Sequence, residues 1–437
     1  MYRFRFPPQI DARYMEAYLQ SEDARLAIDA MKTGGNESGL NLTHDRFRRL
    51  SVPIAPTAEQ FRIADKLEEL LTDLDAGVAE LRAAQKKLAQ YRQSLLKAAV
   101  EGALTAGWRD NQRKARAECG EEPETGARLL ERILAERRRR WEEKQLAKFK
   151  EQGTPPKDWQ SKYPEPFNVR ESLPPTPDSW TWTTLDSIIG YGPQNGLYLP
   201  AAYYGDGLPI LRIEDFQQHW LRPIDQWKRV RVESSVGAPY VLRQGDLVVN
   251  RVNSLTHLGK SLSVSCAIAG ALFESNMMRM SFVSQVRSRF VQLYLQSKPG
   301  NERLIENAKW AVNQASINQT DVRKTEIPLP PADEQIQICE RIDELTSLIN
   351  AHELATDSAL KQAAAQRQNI LKAAFSGKLV PQDPNDEPAS ALLERIRAER
   401  AAREQNGKRG ARKSPSVPER QKQEQSAVRL EENELTQ

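Results

Sequence analysis

The chain is poor in the residues that most catalytic chemistry requires. Its 437 residues hold 3 cysteines and 4 histidines. Cys119, Cys266 and Cys339 are odd in number and far apart. That fits neither a disulfide framework nor a zinc cluster, and it does fit a reducing, cytoplasmic setting. His44, His219, His257 and His352 show no metal-ligand spacing and no nucleophile partner. No apolar run approaches the ~20 residues of a membrane span, and the opening MYRFRFPPQI is no signal peptide. Gly259-Lys260-Ser261 looks like the end of a phosphate loop, but Ser254 stands where that loop needs its first glycine. A cofactor-binding Gly-rich turn and an aromatic-capped Asn/Asp-Pro-Pro motif, both needed for methyl transfer, are missing too. With 63 basic and 59 acidic residues the net charge is +4, so any nucleic-acid surface must come from local clustering.

What is present is a repeat. Pro56-Thr57-Ala58-Glu59-Gln60 returns as Pro331-Ala332-Asp333-Glu334-Gln335, an offset of 275 residues that holds to Leu104 and Leu379. Within it, Tyr91 to Leu104 matches Gln366 to Leu379 at eight of fourteen positions. Leu129 to Arg137 matches Leu392 to Arg400 at eight of nine with an offset of 263, so the first copy carries a 12-residue insertion. Two long copies in one chain predict a pseudo-twofold molecule.

Each copy opens on a long helix. Ile63, Leu67, Leu70, Leu74, Val78, Leu81 and Leu88 form a heptad-like stripe suited to a helix partner. The second copy keeps it at Ile338, Ile342, Leu345 and Ile349, then places Glu353 and Thr356 where the first has Val78 and Leu81. The two helices are expected to pack against each other, antiparallel. The prolines between Gly153 and Pro177 mark a linker. Residues 178–330 are rich in glycine, aromatic and β-branched residues, with turn-bounded runs at Pro209 to Ile213 and Asp246 to Val249. They predict an α+β globular domain. From about Ala401 to Gln437 the chain is charged, lacks an aliphatic stripe and reads as disordered.

In order, Ile327-Pro328-Leu329-Pro330-Pro331, Glu334-Gln335, a long helix ending in Ile370-Leu371-Lys372-Ala373-Ala374-Phe375-Ser376-Gly377-Lys378-Leu379, and Trp180 after a Pro-rich linker with Gly245-Asp246-Leu247 beyond it carry a resemblance. The chain resembles the specificity subunits of type I restriction-modification systems. The resemblance implies target-recognition domains of mixed α/β fold separated by two long antiparallel coiled-coil-like helices. It implies a non-catalytic subunit that reads a bipartite, asymmetric DNA site and docks two methyltransferase subunits and, through them, restriction subunits. S-adenosylmethionine, ATP and magnesium would bind in those partners, with no cofactor in this chain. The expected division is 1–55 as a remnant of a first recognition domain, 56–150 as the first long-helix region, 151–177 as linker, 178–330 as a complete recognition domain, 331–400 as the second long-helix region and 401–437 as tail.

The remnant aligns with the end of the complete domain: Arg3-Phe4-Arg5-Phe6 with Arg279-Met280-Ser281-Phe282, and Tyr18-Leu19-Gln20-Ser21 with Tyr294-Leu295-Gln296-Ser297. Roughly 100 residues of a first domain lack a counterpart, so a partial sheet with an exposed edge is expected there. The alternative reading is an assembly fragment that needs a second copy or a partner fragment to restore two reading heads. In the complete domain the candidate DNA-contacting residues are Gln194, Asn195, Arg212, Asn250, Arg251, Asn253, His257 and Lys260, polar residues in turn or strand-end contexts. The alternative for each is an ordinary solvated loop residue. Arg137 to Arg140 read as a solvated helix face in preference to a phosphate track.

Overall fold

A computed structural model of the chain describes residues 4–32, 42–153, 155–217, 220–254, 257–311 and 314–411. His219 and residues 412–437 lie outside these. Helices α1 (Ala12–Leu19), α2 (Glu22–Met31) and α3 (His44–Phe47) precede the 44-residue α4 (Thr57–Val100), and α5 (Ala106–Glu118) and α6 (Gly126–Gln152) follow it. Then come the strands of the mixed domain with the short α7 (Leu185–Ile188), α8 (Ser234–Gly237), α9 (Ser288–Gln296), α10 (Lys298–Ile305) and α11 (Gln319–Lys324). A second 44-residue helix, α12 (Ala332–Phe375), and α13 (Ala389–Ala411) complete the order. The chain divides into two compact units, Met1–Ala84 with Ala355–Gln437, and Gln85–Leu354.

In the first unit the opening turns of α4 meet the closing turns of α12. Ile63 and Leu67 pack with Leu371 and Ala374 and with Tyr14 and Met15 of α1. Phe375 lies edge-on to Tyr14 and Tyr18, with centroids 5.2 and 5.1 Å apart. In the second unit the ends are exchanged. Leu95, Leu96, Ala99 and Val100 of α4 share a core with Ile338, Ile342 and Ile349 of α12, with Leu345 against its margin. Buried Arg92 there donates to Asn350 at 2.8 Å and Glu353 at 2.9 Å. Each unit thus contains an antiparallel helix pair, as the stripes require. The middle of the α4 stripe is less well met. Leu70 and Leu74 are half-buried, and Leu74, Val78 and Leu81 line a recess against the small Ala363.

The segment 4–55 departs from expectation. Instead of a partial sheet, its described residues form three helices and no strand. These helices repeat α9 to α11 at offsets of 276, 276 and 275, so Asp11 and Arg287, Ser21 and Ser297, and Thr43 and Asn318 fall on the same N-cap positions. The physical reason is a missing partner. In the second unit β14 (Glu326–Leu329) is a strand because β1 (Thr181–Thr184) pairs with it antiparallel, Glu326 opposite Thr184 and Pro328 opposite Trp182. Among the described residues no strand pairs with the equivalent Ser51 and Pro53. Tyrosine hydroxyls serve them instead: Tyr18 donates to the Ser51 carbonyl at 2.9 Å and Tyr14 to the Pro53 carbonyl at 2.8 Å. The tail departs as well, since α13 stays helical to Ala411, past the expected boundary at Ala401.

The mixed domain is built on a four-stranded antiparallel sheet in the order β2 (Ile189–Asn195), β11 (Met277–Phe282), β7 (Leu247–Asn250), β9 (Ser261–Ser263). Alternation along its central strands feeds two cores. Leu247, Val249, Met278 and Met280 face Phe290, Leu293 and Tyr294 of α9. Val248 and Met277 face Phe216, Trp227 and Phe273. A second sheet pairs β10 (Leu272–Phe273) parallel to β3 (Tyr204–Leu211), whose other edge holds β6 (Arg229–Val230). A third joins the hairpin β12 (Lys309–Ala311) and β13 (Gln314–Ser316) to β8 (Val252–Asn253). A fourth is the hairpin of β4 (Phe216–Gln217) and β5 (Trp220–Leu221).

Candidate nucleic-acid interface

The small third sheet assembles a polar surface from distant parts of the chain. Asn253 sits opposite Ala315 and Val252 opposite Ser316, which ties the loop after β7 to the hairpin. Ile317 N–H donates to the Arg251 carbonyl at 2.9 Å, extending the junction to the start of α11. Asn318 caps α11 reciprocally: its side chain accepts from Thr320 and Asp321 N–H at 2.8 and 3.1 Å, and Asp321 accepts from Asn318 N–H at 2.8 Å. An open cleft follows, lined by Asn195 at the end of β2, by Arg251, and by Asn318 to Asp321. Beside it stands the β12–β13 hairpin, all of β12 exposed and Trp310 68% accessible.

Of the eight sequence-derived candidates, the cleft brings together Asn195 and Arg251, with Asn253 on the adjoining strand. Gln194 serves a support: its side-chain oxygen accepts from buried Arg279 at 2.6 Å. Arg279 is also held by the Val241 carbonyl at 2.6 Å and by Asp246 at 3.7 Å, under the Tyr191 ring. That anchor fixes β2 against β11 and thereby positions Asn195.

The others lie differently. Arg212 is engaged by Glu274 at 3.2 Å and Glu214 at 2.8 Å. Asn250 is fully buried, and neither side-chain atom has a hydrogen-bond partner. Its alternation on β7 turns it inward, so it presents nothing to a ligand. His257 is half-buried with an unpartnered Nδ1. Lys260 donates to Gln217 at the β4–β5 hairpin, and burial lowers its pKa below the ordinary lysine value.

Sequence reasoning passed over Lys309, Trp310, Gln314 and Asn318 to Thr320. A signal existed: between Asn313 and Gln319 four of seven side chains are amides. Amides can bond bidentately to adenine edges. Among the described residues no group of three or more His, Cys, Asp or Glu could hold a metal ion, and no helix is long and apolar enough to cross a membrane.

Known proteins sharpen the picture. Residues 263–362 match the family model of the type I restriction modification DNA specificity domain. The type I restriction enzyme StySPI specificity subunit of Salmonella potsdam is 26% identical over 92% of this chain and 74% of its own. The EcoKI specificity subunit of Escherichia coli (strain K12) is likewise 26% identical, over the same shares of the two chains. A chain from structural work on complex assembly and conformational transition of the type I R-M system superposes with a TM-score of 0.54. That likeness covers 85% of this chain and 72% of the other at 17% identity, and it speaks for the fold alone. Family model, relatives and fold thus agree that the chain is similar, over most of its length, to the specificity subunits of type I restriction-modification systems.

Proposed function

We propose that this chain is the DNA-sequence reader of a cytoplasmic type I restriction-modification complex, and that the cleft of Asn195, Arg251 and Asn318 to Thr320 touches base edges. The carrying observation is that three segments more than fifty residues apart in sequence converge on one open surface with amide and guanidinium side chains. Those side chains suit base-edge hydrogen bonding, while Lys309 and the neighbouring hairpin can hold the backbone. Two methyltransferase subunits would dock on the long-helix regions 56–150 and 331–400, flanking the recognition domain 178–330 and the linker 151–177, and restriction subunits would join through them. S-adenosylmethionine, ATP and magnesium would bind in those partners.

A second reading has a specific observation behind it. The described part of 4–55 carries helices equivalent to α9–α11 but no strand, so the described residues supply one complete reading head. A second copy or another fragment would then provide the other half of a bipartite site.

Mapping modified adenines genome-wide in cells that carry the cognate methyltransferase, with and without this chain, tests both. A bipartite motif that vanishes on deletion supports the reader. A motif map unchanged by deletion refutes it, and a palindromic bipartite motif favours two copies of one head.

A further inference from the structure

A second polar recess lies beside the cleft, and its chemistry is that of an anion site. It is about 390 Å³ and is formed by the middle of α6, Tyr163, the start of β2 and Arg323 of α11. Two buried groups face it without partners. Tyr163 is only 9% exposed and its hydroxyl bonds to nothing, and the Nη1 of Arg137 is buried and equally unpaired. Leaving such groups unsatisfied is destabilising, and more so when the group is charged.

The surroundings show what would satisfy them. Arg137, Arg140, Lys144 and Arg323 line the recess against a single lining carboxylate, Glu136. Asp186 stands behind, bridging Arg137 at 3.3 Å and Arg323 at 2.6 Å. Counting both acids still leaves an excess of two positive charges. Glu136 is itself shared between Arg140 and Gln285, and Lys144 is exposed with no carboxylate partner among the described residues. Donors converge and acceptors are spent, so the missing occupant is an oxyanion.

We infer that this recess holds a phosphate, and that the phosphate belongs to the backbone of the duplex read in the adjoining cleft. The inference about its source rests on the DNA-reading function proposed above. Two elements are shared: β2 carries Asn195 at the cleft and Tyr191 and Gly192 at the recess, and α11 carries Gln319 and Thr320 at the one and Arg323 at the other. On α11 about one helical turn, ~5.4 Å, separates the two sets of positions. A strand whose bases enter the cleft therefore passes its sugar-phosphate chain over α6. The basic run that sequence alone assigned to solvent becomes the half of the site that fixes register.

The test uses the full-length chain and two gentle variants, Tyr163→Phe, which removes only the orphan hydroxyl, and Arg140→Gln/Lys144→Gln on the exposed helix face. Duplex affinity is measured against salt for a cognate and a mismatched site. The expected result for the double variant is equal weakening on both duplexes, with a log–log salt slope shallower by about one. An unchanged slope and affinity for both variants overturns the inference. In parallel, inorganic phosphate is titrated against the intrinsic tryptophan fluorescence, to which Trp141 in the recess contributes. A saturable change in the parent chain, weakened several-fold in Tyr163→Phe, supports the oxyanion site. Phosphate binding with unaltered duplex binding overturns the backbone source. If the parent chain bound no duplex, the reading of the cleft would fail, whereas the phosphate titration would still decide the recess.

Discussion

Gln60 and Gln335, one in each unit, make the same two hydrogen bonds. Each side-chain oxygen accepts from a helix N-cap backbone, Asp11 N–H at 3.0 Å and Arg287 N–H at 2.9 Å. Each side-chain amide donates to the residue five back, the Ala55 carbonyl at 2.7 Å and the Pro330 carbonyl at 3.1 Å. Both glutamines are fully buried. The side chain thus pins the start of a long helix to the helix before it. Replacing either with alanine leaves a buried N–H and a buried C=O unpaired, which should cost about 2–4 kcal/mol. Amide hydrogen exchange localises the loss: Gln60→Ala should release Asp11, Gln335→Ala should release Arg287. Equal protection of both amides in both variants would defeat the equivalence.

Tyr18 and Tyr294 occupy matching positions with opposite accounts. The Tyr18 hydroxyl donates to the Ser51 carbonyl, while that of Tyr294 is buried and unpartnered. Burial raises the pKa of both phenols. Tyr18→Phe should therefore destabilise by about 1 kcal/mol, and Tyr294→Phe should be neutral or mildly stabilising. Urea denaturation distinguishes them, and equal losses would contradict the difference between the two hydroxyls. For Tyr14, burial pushes the phenol up to about 12. Its folded pKa lies above the unfolded value of 10.0, so its contribution is intact below pH 10 and lost as pH climbs toward 12. Tyr14→Phe should flatten that alkaline decline.

The long helices were legible because periodicity is local: seven apolar residues at heptad-like spacing state a helix and its face at once. The α+β character of 178–330 was legible for the same reason, since Asp246 to Val249 is a strand run in any context. The fate of 51–54 was not. It aligns with a strand, yet strand formation belongs to a pair, and among the described residues no strand lies beside it. The cleft was half legible. Asn195 and Arg251 stood out as polar residues near turns, whereas nothing in the sequence placed Asn318 beside them. Asn250 misled because burial depends on strand register, and one residue of register moves a side chain from surface to core.

Two glycines should respond oppositely to alanine. At Gly126, the first residue of α6, a Cβ would meet the Leu329 carbonyl oxygen at 2.0 Å and Thr181 N at 3.0 Å. Both are backbone atoms of the β1–β14 pair and cannot step aside, so Gly126→Ala should cost about 3 kcal/mol or more. At Gly77, inside α4, nothing lies within 4 Å. There alanine lowers the entropy lost on folding and should stabilise the helix by about 0.5–1 kcal/mol. Thermal unfolding of the two variants checks both signs, and a stabilised Gly126→Ala would contradict the close approach of α6 to β14.

The three thiols differ in reach. Cys119 and Cys266 are exposed, while Cys339 on α12 is largely covered and burial pushes its pKa up to about 12. Thiolate is the reactive form, so at pH 8 the native protein should take up two equivalents of a thiol reagent quickly and the third only slowly. Denaturant should release the third. Three equally fast equivalents in the native protein would mean that the packing around α12 at Cys339 is open.

Asn250 and Gln319 separate stability from recognition. Asn250 is fully buried with all of its amide unpaired, a burden of about 1–3 kcal/mol. Replacing it with leucine, which has the same branched four-atom skeleton without polar groups, should stabilise the domain by about 1 kcal/mol and leave DNA discrimination as it was. Gln319 is exposed in the cleft and carries no packing. Gln319→Ala should leave the unfolding midpoint within about 0.5 kcal/mol of the parent. It should relax discrimination at one base pair by about 1–3 kcal/mol, measured as the affinity ratio between cognate and singly substituted duplexes. The two variants should thus move different observables. If Asn250→Leu altered the base preference while Gln319→Ala did not, the reading surface would have to lie at the β7 loop and not at the cleft.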